Sequence, residues 1–217
     1  GTIGATFMHF PSTQLFKMFG RLKVIFSMKK IDYTKPIEFL THIARTISDQ
    51  GISAILPEIE KCTDSYLKLS LQLLADDVDE KSLKKFLEDN MSYMEKRHDQ
   101  GIMFFEQMAR YAPAFGLLGT VVGLVKLLYN LKNPDMLGMS MALALITTFY
   151  GILLANLVFQ PLAGRLRSYS IEENLQKEMM MVGLYALAHR EPPFIVKEKM
   201  LLFLTTKERK RYAKKTS

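Results

Sequence analysis

Two long apolar runs dominate the pattern of this chain. The first, YAPAFGLLGTVVGLVKLLYNL from Tyr111, is interrupted by one charge, Lys126. The second, MLGMSMALALITTFYGILLANLVFQPLAG from Met136, carries no charged residue between Asp135 and Arg165. At about 1.5 Å of rise per residue, each run is long enough to cross a hydrocarbon core of about 30 Å. A bilayer core offers no water to backbone N–H and C=O groups, so such spans are helical. The polar KNPD between them, with its Asn-Pro pair, marks a turn. The pattern predicts a transmembrane helical hairpin over 111–165.

Elsewhere the apolar positions repeat with helical spacing over shorter stretches. Ile37, Leu40, Ile43, Ala44 and Ile47 form one set, and Tyr66, Leu67, Ser70, Leu71 and Leu74 another. VDEKSLKKFLEDN reads as an acidic helix start followed by a basic turn, with Leu83, Phe86 and Leu87 facing inward. After Arg167 the chain returns to helix, with Leu184, Leu187 and Ala188 apolar and Pro192-Pro193 as a break. The basic end, ERKRYAKKTS, is expected to fray. The fold class expected is all-α: an integral membrane protein with a long transmembrane helical hairpin plus a cytoplasmic bundle of short helices. The expected divisions are 1–22, the end of a membrane helix and its turn; 23–110, a helical domain; 111–165, the hairpin; and 166–217, C-terminal helices and tail.

Each span has one face of small residues. Pro113, Gly116, Thr120 and Gly123 fall at steps of three and four on the first, as do Ala144, Thr148, Gly151 and Ala155 on the second. Gly119-x-x-x-Gly123 and Gly151-x-x-x-Ala155 let helix backbones approach closely. One reading is helix packing alone, each threonine bonded one turn back. The other follows from depth: Thr120 and Thr148 lie roughly 15 and 12 Å from the turn, near mid-bilayer, where polar groups are costly and usually functional. Their oxygens suit a hard cation. Neither span holds an Asp, Glu or His, so a carboxylate that carries an ion must come from another chain. Lys126 is placed to snorkel to the headgroups. Pro113 is expected in the first turn of its helix, and Pro161 is expected to end or kink the second.

Charge sets the orientation. The 217 residues carry a net charge of +7 and a mean hydropathy of +0.04, a balance of two spans and a substantial polar portion. Lys17, Arg21, Lys23, Lys29 and Lys30 precede the polar portion, and Arg165 and Arg167 close the second span. By the positive-inside rule these flanks are cytoplasmic and the Lys132–Gly138 turn lies outside. Lone Cys62 allows no internal disulfide. His9, His42, His98 and His189 lack metal-ligand spacing, and no phosphate loop or nucleophile motif occurs, so no enzyme and no resident cofactor is expected. The basic charge lacks the aromatic interleaving of a nucleic-acid surface.

APAFGLLGTVVGL, MALALITTFYGILLANLVFQPLAGRL and MMMVGLYALAHREPPFIVKEKMLLFL through KERKR resemble the MotA/PomA family of flagellar stator subunits, within the MotA/TolQ/ExbB superfamily. The resemblance covers most of the chain. It implies a bacterial inner-membrane subunit that passes sodium or protons and drives a rotor, self-associates in a ring, and takes its ion-carrying acid from a MotB-type partner. Pro113 and Pro161 match prolines tied to coupling ion flow to movement. Thr120, Thr147 and Thr148 match threonines of sodium-driven members, which puts sodium ahead of the proton. The opening GTIGATFMHFP is similar to the inner end of the family's second membrane helix, which implies a chain shortened at its start. The family meets the rotor protein FliG through an Arg and a Glu near a glycine. Counted from Gly51, those positions hold Ser48 and Leu56, leaving Arg45 and Glu58 as displaced candidates. The alternatives are an ExbB/TolQ-like energiser of an envelope complex and a passive helix-packing scaffold.

Overall fold

A computed structural model describes residues 1–10 and 31–216. The basic cluster Lys17, Arg21, Lys23, Lys29 and Lys30 and most of the expected 1–22 segment lie outside the described residues. The described residues are helical, with no strand among them. Helices α1 (Thr2–His9), α2 (Thr34–Gln50), α3 (Leu56–Lys61) and α4 (Ser65–Ala75) precede α5 (Glu80–Tyr129), which is 50 residues long. Then come α6 (Pro134–Leu154), a π-helical turn (Ala155–Phe159), α7 (Gln160–Ala188), α8 (Pro193–Leu201) and α9 (Thr206–Thr216). Two continuous helical stretches, Glu80–Tyr129 and Asp135–Ala188, are long and apolar enough to cross a membrane.

The chain divides into two compact units: 1–10 with 96–170, and 31–95 with 171–216. The second unit is a helical bundle around Ile37, Leu40, Leu71, Leu83, Leu87, Met179 and Met200. Its helix ends carry their own signals. Asp32 accepts from the N–H of Thr34 at the start of α2, and Gly51, at φ 85°, closes that helix in a conformation that suits glycine. Asp64 caps α4, accepting from the N–H groups of Tyr66 and Leu67 at 2.9 and 3.1 Å. The same carboxylate takes the Lys177 ammonium at 2.9 Å, and Lys177 also lies over the Tyr66 ring. Burial raises the pKa of the Tyr66 hydroxyl, with Tyr185 and Asp64 adding to the effect. Asp79 opens α5, accepting from the Ser82 N–H, and these hydrogen bonds lower its pKa.

The basic tail is helical over Thr206–Thr216. Thr205 and Glu208 form a reciprocal cap that starts α9, and Arg209 donates from Nε to the Leu201 carbonyl at 2.6 Å. Tyr212 then buries its ring in the bundle core beneath Lys197.

In the first unit, α1 packs beside the lower part of the hairpin. Phe10 stacks on Phe104 in a small core with Ile102, Phe105, Met108 and Ala163, and His9 pairs with the Tyr111 hydroxyl at 3.1 Å. The hairpin turns between Tyr129 and Pro134, with the Asn133 N–H on the Asn130 carbonyl and Pro134 at the first helical position.

Pro113 sits differently from expectation, and Pro161 does not end its helical stretch. Pro113 lies well inside α5, because that helix, capped by Asp79, starts at Glu80 and is already long where it reaches the proline. Pro161 neither ends nor breaks its helical stretch. The π turn just before it widens the backbone, bonding the Gln160 N–H to the Ala155 carbonyl five residues back, and so makes room for the ring. The limits expected at 110 and 165 therefore fall inside unbroken helix. A helix satisfies its backbone hydrogen bonds internally, so it need not stop where its surroundings change.

Candidate functional site

The hairpin closes along a seam that only small residues permit. A Cβ on Gly116 would stand 3.0 Å from the Thr147 carbonyl oxygen, one on Gly123 would stand 2.9 Å from the Ala144 Cα, and one on Gly151 would stand 2.7 Å from the Ala112 carbonyl oxygen. On Gly119 it would lie 2.6 Å from the Thr147 side chain. Ala144 and Ala155 are buried in the same line. Gly116, Gly119, Gly123, Gly151 and Ala155 thus set how closely α5 and α6 approach.

That approach brings two hydroxyls together. Thr120 and Thr148 hydrogen-bond to each other across the seam. The Thr120 hydroxyl also reaches the Gly116 carbonyl at 3.3 Å and the Ala144 carbonyl at 3.2 Å, and the Thr148 hydroxyl reaches the Gly116 carbonyl at 3.2 Å. Four oxygens from two helices converge, none formally charged. Such a set can share a hard cation or carry a proton along hydroxyls, but it cannot balance the charge. Thr147 stands apart: its hydroxyl bonds the Leu143 and Ala144 carbonyls of its own helix and its side chain fills the space beside Gly119.

The outer faces are apolar and uncovered. Leu117, Val121, Val125 and Leu128 on α5 and Leu145, Phe149 and Ile152 on α6 are all exposed. Faces of this size require lipid or other chains against them. Lys126 is exposed near the turn end of α5.

The other candidates are scattered. Pro113 and Pro161 lie on the two helices at the end of the seam away from the turn. Arg45 is exposed on α2, while Glu58 pairs at 3.0 Å with Lys61 on its own helix. Sequence reasoning missed a cavity of about 710 Å³ flanking the Glu106–Arg167 ion pair, which closes to 2.7 Å. It also missed the π turn above that pair. Glu106 continues the spacing of Ala109, Pro113, Gly116 and Thr120, a signal that was available.

Residues 58–179 match the model of the MotA/TolQ/ExbB proton channel family. The chain is 35% identical to Motility protein A of Borreliella burgdorferi, over 85% of this chain and 72% of that protein. It is 32% identical to the uncharacterised protein YtxD of Bacillus subtilis, over 96% of this chain and 76% of that one. Among solved structures, the flagellar MotAB stator complex of Bacillus subtilis superposes with a TM-score of 0.90 at 28% identity, covering 98% of this chain and 84% of that chain.

Proposed function

The chain belongs to the MotA/TolQ/ExbB proton channel family, and on that premise we propose that it is the ion-channel subunit of a flagellar stator, converting transmembrane ion flow into torque. It is a membrane protein of a transport family, not an enzyme family. Motility protein A relatives and the stator complex superposition support a stator subunit that works with a MotB-type partner in an oligomeric assembly.

The observation that carries the reading is the pair of hydroxyls, Thr120 and Thr148, held together between two apolar runs, Tyr111–Tyr129 and Met136–Gly164, that contain no carboxylate. The missing negative charge comes from the partner, whose acidic side chain carries sodium, in preference to a proton, past these oxygens. The exposed apolar faces receive the partner helix, neighbouring copies in a ring and lipid. By the positive-inside rule the basic flanks support a turn outside and a bundle on the cytoplasmic side of a bacterial inner membrane, facing the rotor protein FliG. With Ser48 and Leu56 at the family's charged positions, that contact uses other charges, Arg45 and Glu58 among the candidates.

The test is low-load bead rotation in cells that depend on the full-length protein and its partner. Thr120→Val and Thr148→Val keep shape and remove the hydroxyl, so both should stop or strongly slow rotation while leaving partner co-purification intact. Rotation at wild-type speed in the double variant would sink the reading and favour a passive packing role.

A further inference from the structure

The seam does not end at the threonines. On α5, Glu106, Ala109, Pro113, Gly116 and Thr120 follow one another at steps of three and four, so one helix face carries all five. On the opposing side Ala144, Thr148, Gly151 and Ala155 hold the matching face. The π turn then inserts one extra residue, and the five-residue step from Ala155 to Gln160 returns Gln160, Gly164 and Arg167 to that face. Without it the lower residues would rotate away from α5.

What the realigned faces enclose is polar. Gln160, Asn156, Arg110 and the Glu106–Arg167 pair line the cavity of about 710 Å³, with residues from both helices. Ala109 also lines it, one turn before Pro113, which has no N–H to give the Ala109 carbonyl. Glu106 is the first carboxylate along the seam from Thr120, 14 residues or roughly 21 Å away. Its side chain and that of Arg167 are both about half exposed, at 43% and 58%, so the cavity is open at the surface of the chain. Two guanidinium groups against one carboxylate make a site that cannot retain a cation, which suits a place of release.

We propose that this cavity is the inner mouth of the ion path: Glu106 receives the cation there, and Arg167 closes the mouth by competing for the same carboxylate. The proposal rests on the stator reading and adds the residues through which the ion leaves. Glu106 and Arg167 then act in opposite senses on release. Removing the carboxylate abolishes the cation's last foothold, whereas removing the guanidinium leaves Glu106 free to hold cations from the cytoplasm.

Cells depending on the full-length protein and its partner test this, with bead rotation followed at fixed external ion as cytoplasmic sodium, or acid from a permeant weak acid, is raised. E106Q should rotate several-fold more slowly and lose sensitivity to the cytoplasmic cation. R167Q should become more sensitive, slowing at lower cytoplasmic cation than wild type. Q160L keeps the ion pair, makes the lining apolar and should also slow rotation. A purely structural ion pair predicts shifts of the same sign in E106Q and R167Q. Same-sign shifts, or none, together with wild-type speed in Q160L, would overturn the mouth; if Thr120→Val and Thr148→Val still stop rotation in that experiment, the stator reading stands without it. If the threonine variants rotate normally, both fall.

Discussion

Gly151→Ala tests the seam at its tightest backbone contact. A Cβ there would lie 2.7 Å from the Ala112 carbonyl oxygen and 3.0 Å from the Gly116 Cα, both backbone atoms that no rotamer change can move. Relief requires the helices to part by about 0.7 Å, the gap between 2.7 Å and the 3.4 Å at which ordinary contact begins. The Thr148-to-Gly116 hydrogen bond, 3.2 Å in the structure, would stretch beyond useful geometry, and the Thr120–Thr148 pair with it. Overpacking of this kind costs about 1–3 kcal/mol, and about 1.4 kcal/mol is already tenfold in an equilibrium. Gly138→Ala and Gly101→Ala are the controls, since a Cβ at either meets nothing within 4 Å. The assay is the melting temperature of the full-length protein with its partner in detergent, alongside bead rotation. Gly151→Ala should melt lower than both controls and rotate more slowly. If it melts and rotates as they do, the helices do not meet at this glycine and the hydroxyl site built on that contact is wrong.

Three further outcomes concern the helical bundle. Asp64→Ala removes the α4 cap and leaves Lys177, whose side chain is 11% exposed, without its carboxylate. A cap is worth about 1 kcal/mol, and breaking a half-buried pair adds about 1–3 kcal/mol after solvent screening. The drop should appear in denaturant unfolding followed by helicity, and an unchanged midpoint would count against the pair. Burial raises Tyr66, Tyr33, Tyr185 and Tyr212 above the ordinary 10.0. Because folding favours their protonated form, the stability they contribute is full below pH 10.0 and is lost as pH rises through the folded-state values. A tyrosinate titration should lag that of free tyrosine until helicity falls; ionisation near pH 10 without such a lag would refute it. Tyr212→Ala should release α9, and trypsin should then cleave at Lys207 and Arg211 far faster than in wild type, with equal rates as the contrary result.

The hairpin was legible because two apolar runs of membrane length have few alternatives, and its seam because glycine, alanine and threonine recur at steps of three and four. Bundle positions such as Leu40, Leu71 and Leu87 were legible for the same periodic reason. Helix continuity through Pro113 and Pro161 was not: local preference says stop, and the compensation lies in a long N-terminal run for one and a π turn for the other. Nor could spacing reveal Lys177 on Asp64, a pair 113 residues apart in the chain. The docked tail hid behind its charge, since one tyrosine among lysines carries little periodic signal. Glu106 was visible as a charge before the span, but its place on the seam needed the extra residue of the π turn to give it Arg167 as a partner.

In the proposed mechanism an ion passing the Thr120–Thr148 pair drives rotation. The decisive experiment is rotation speed at low load in cells powered only by this stator, as external sodium is replaced by potassium at fixed pH. Speed should fall with sodium and recover when sodium returns. Speed that holds without sodium and survives a protonophore would contradict it, because no ion gradient would then be doing the turning.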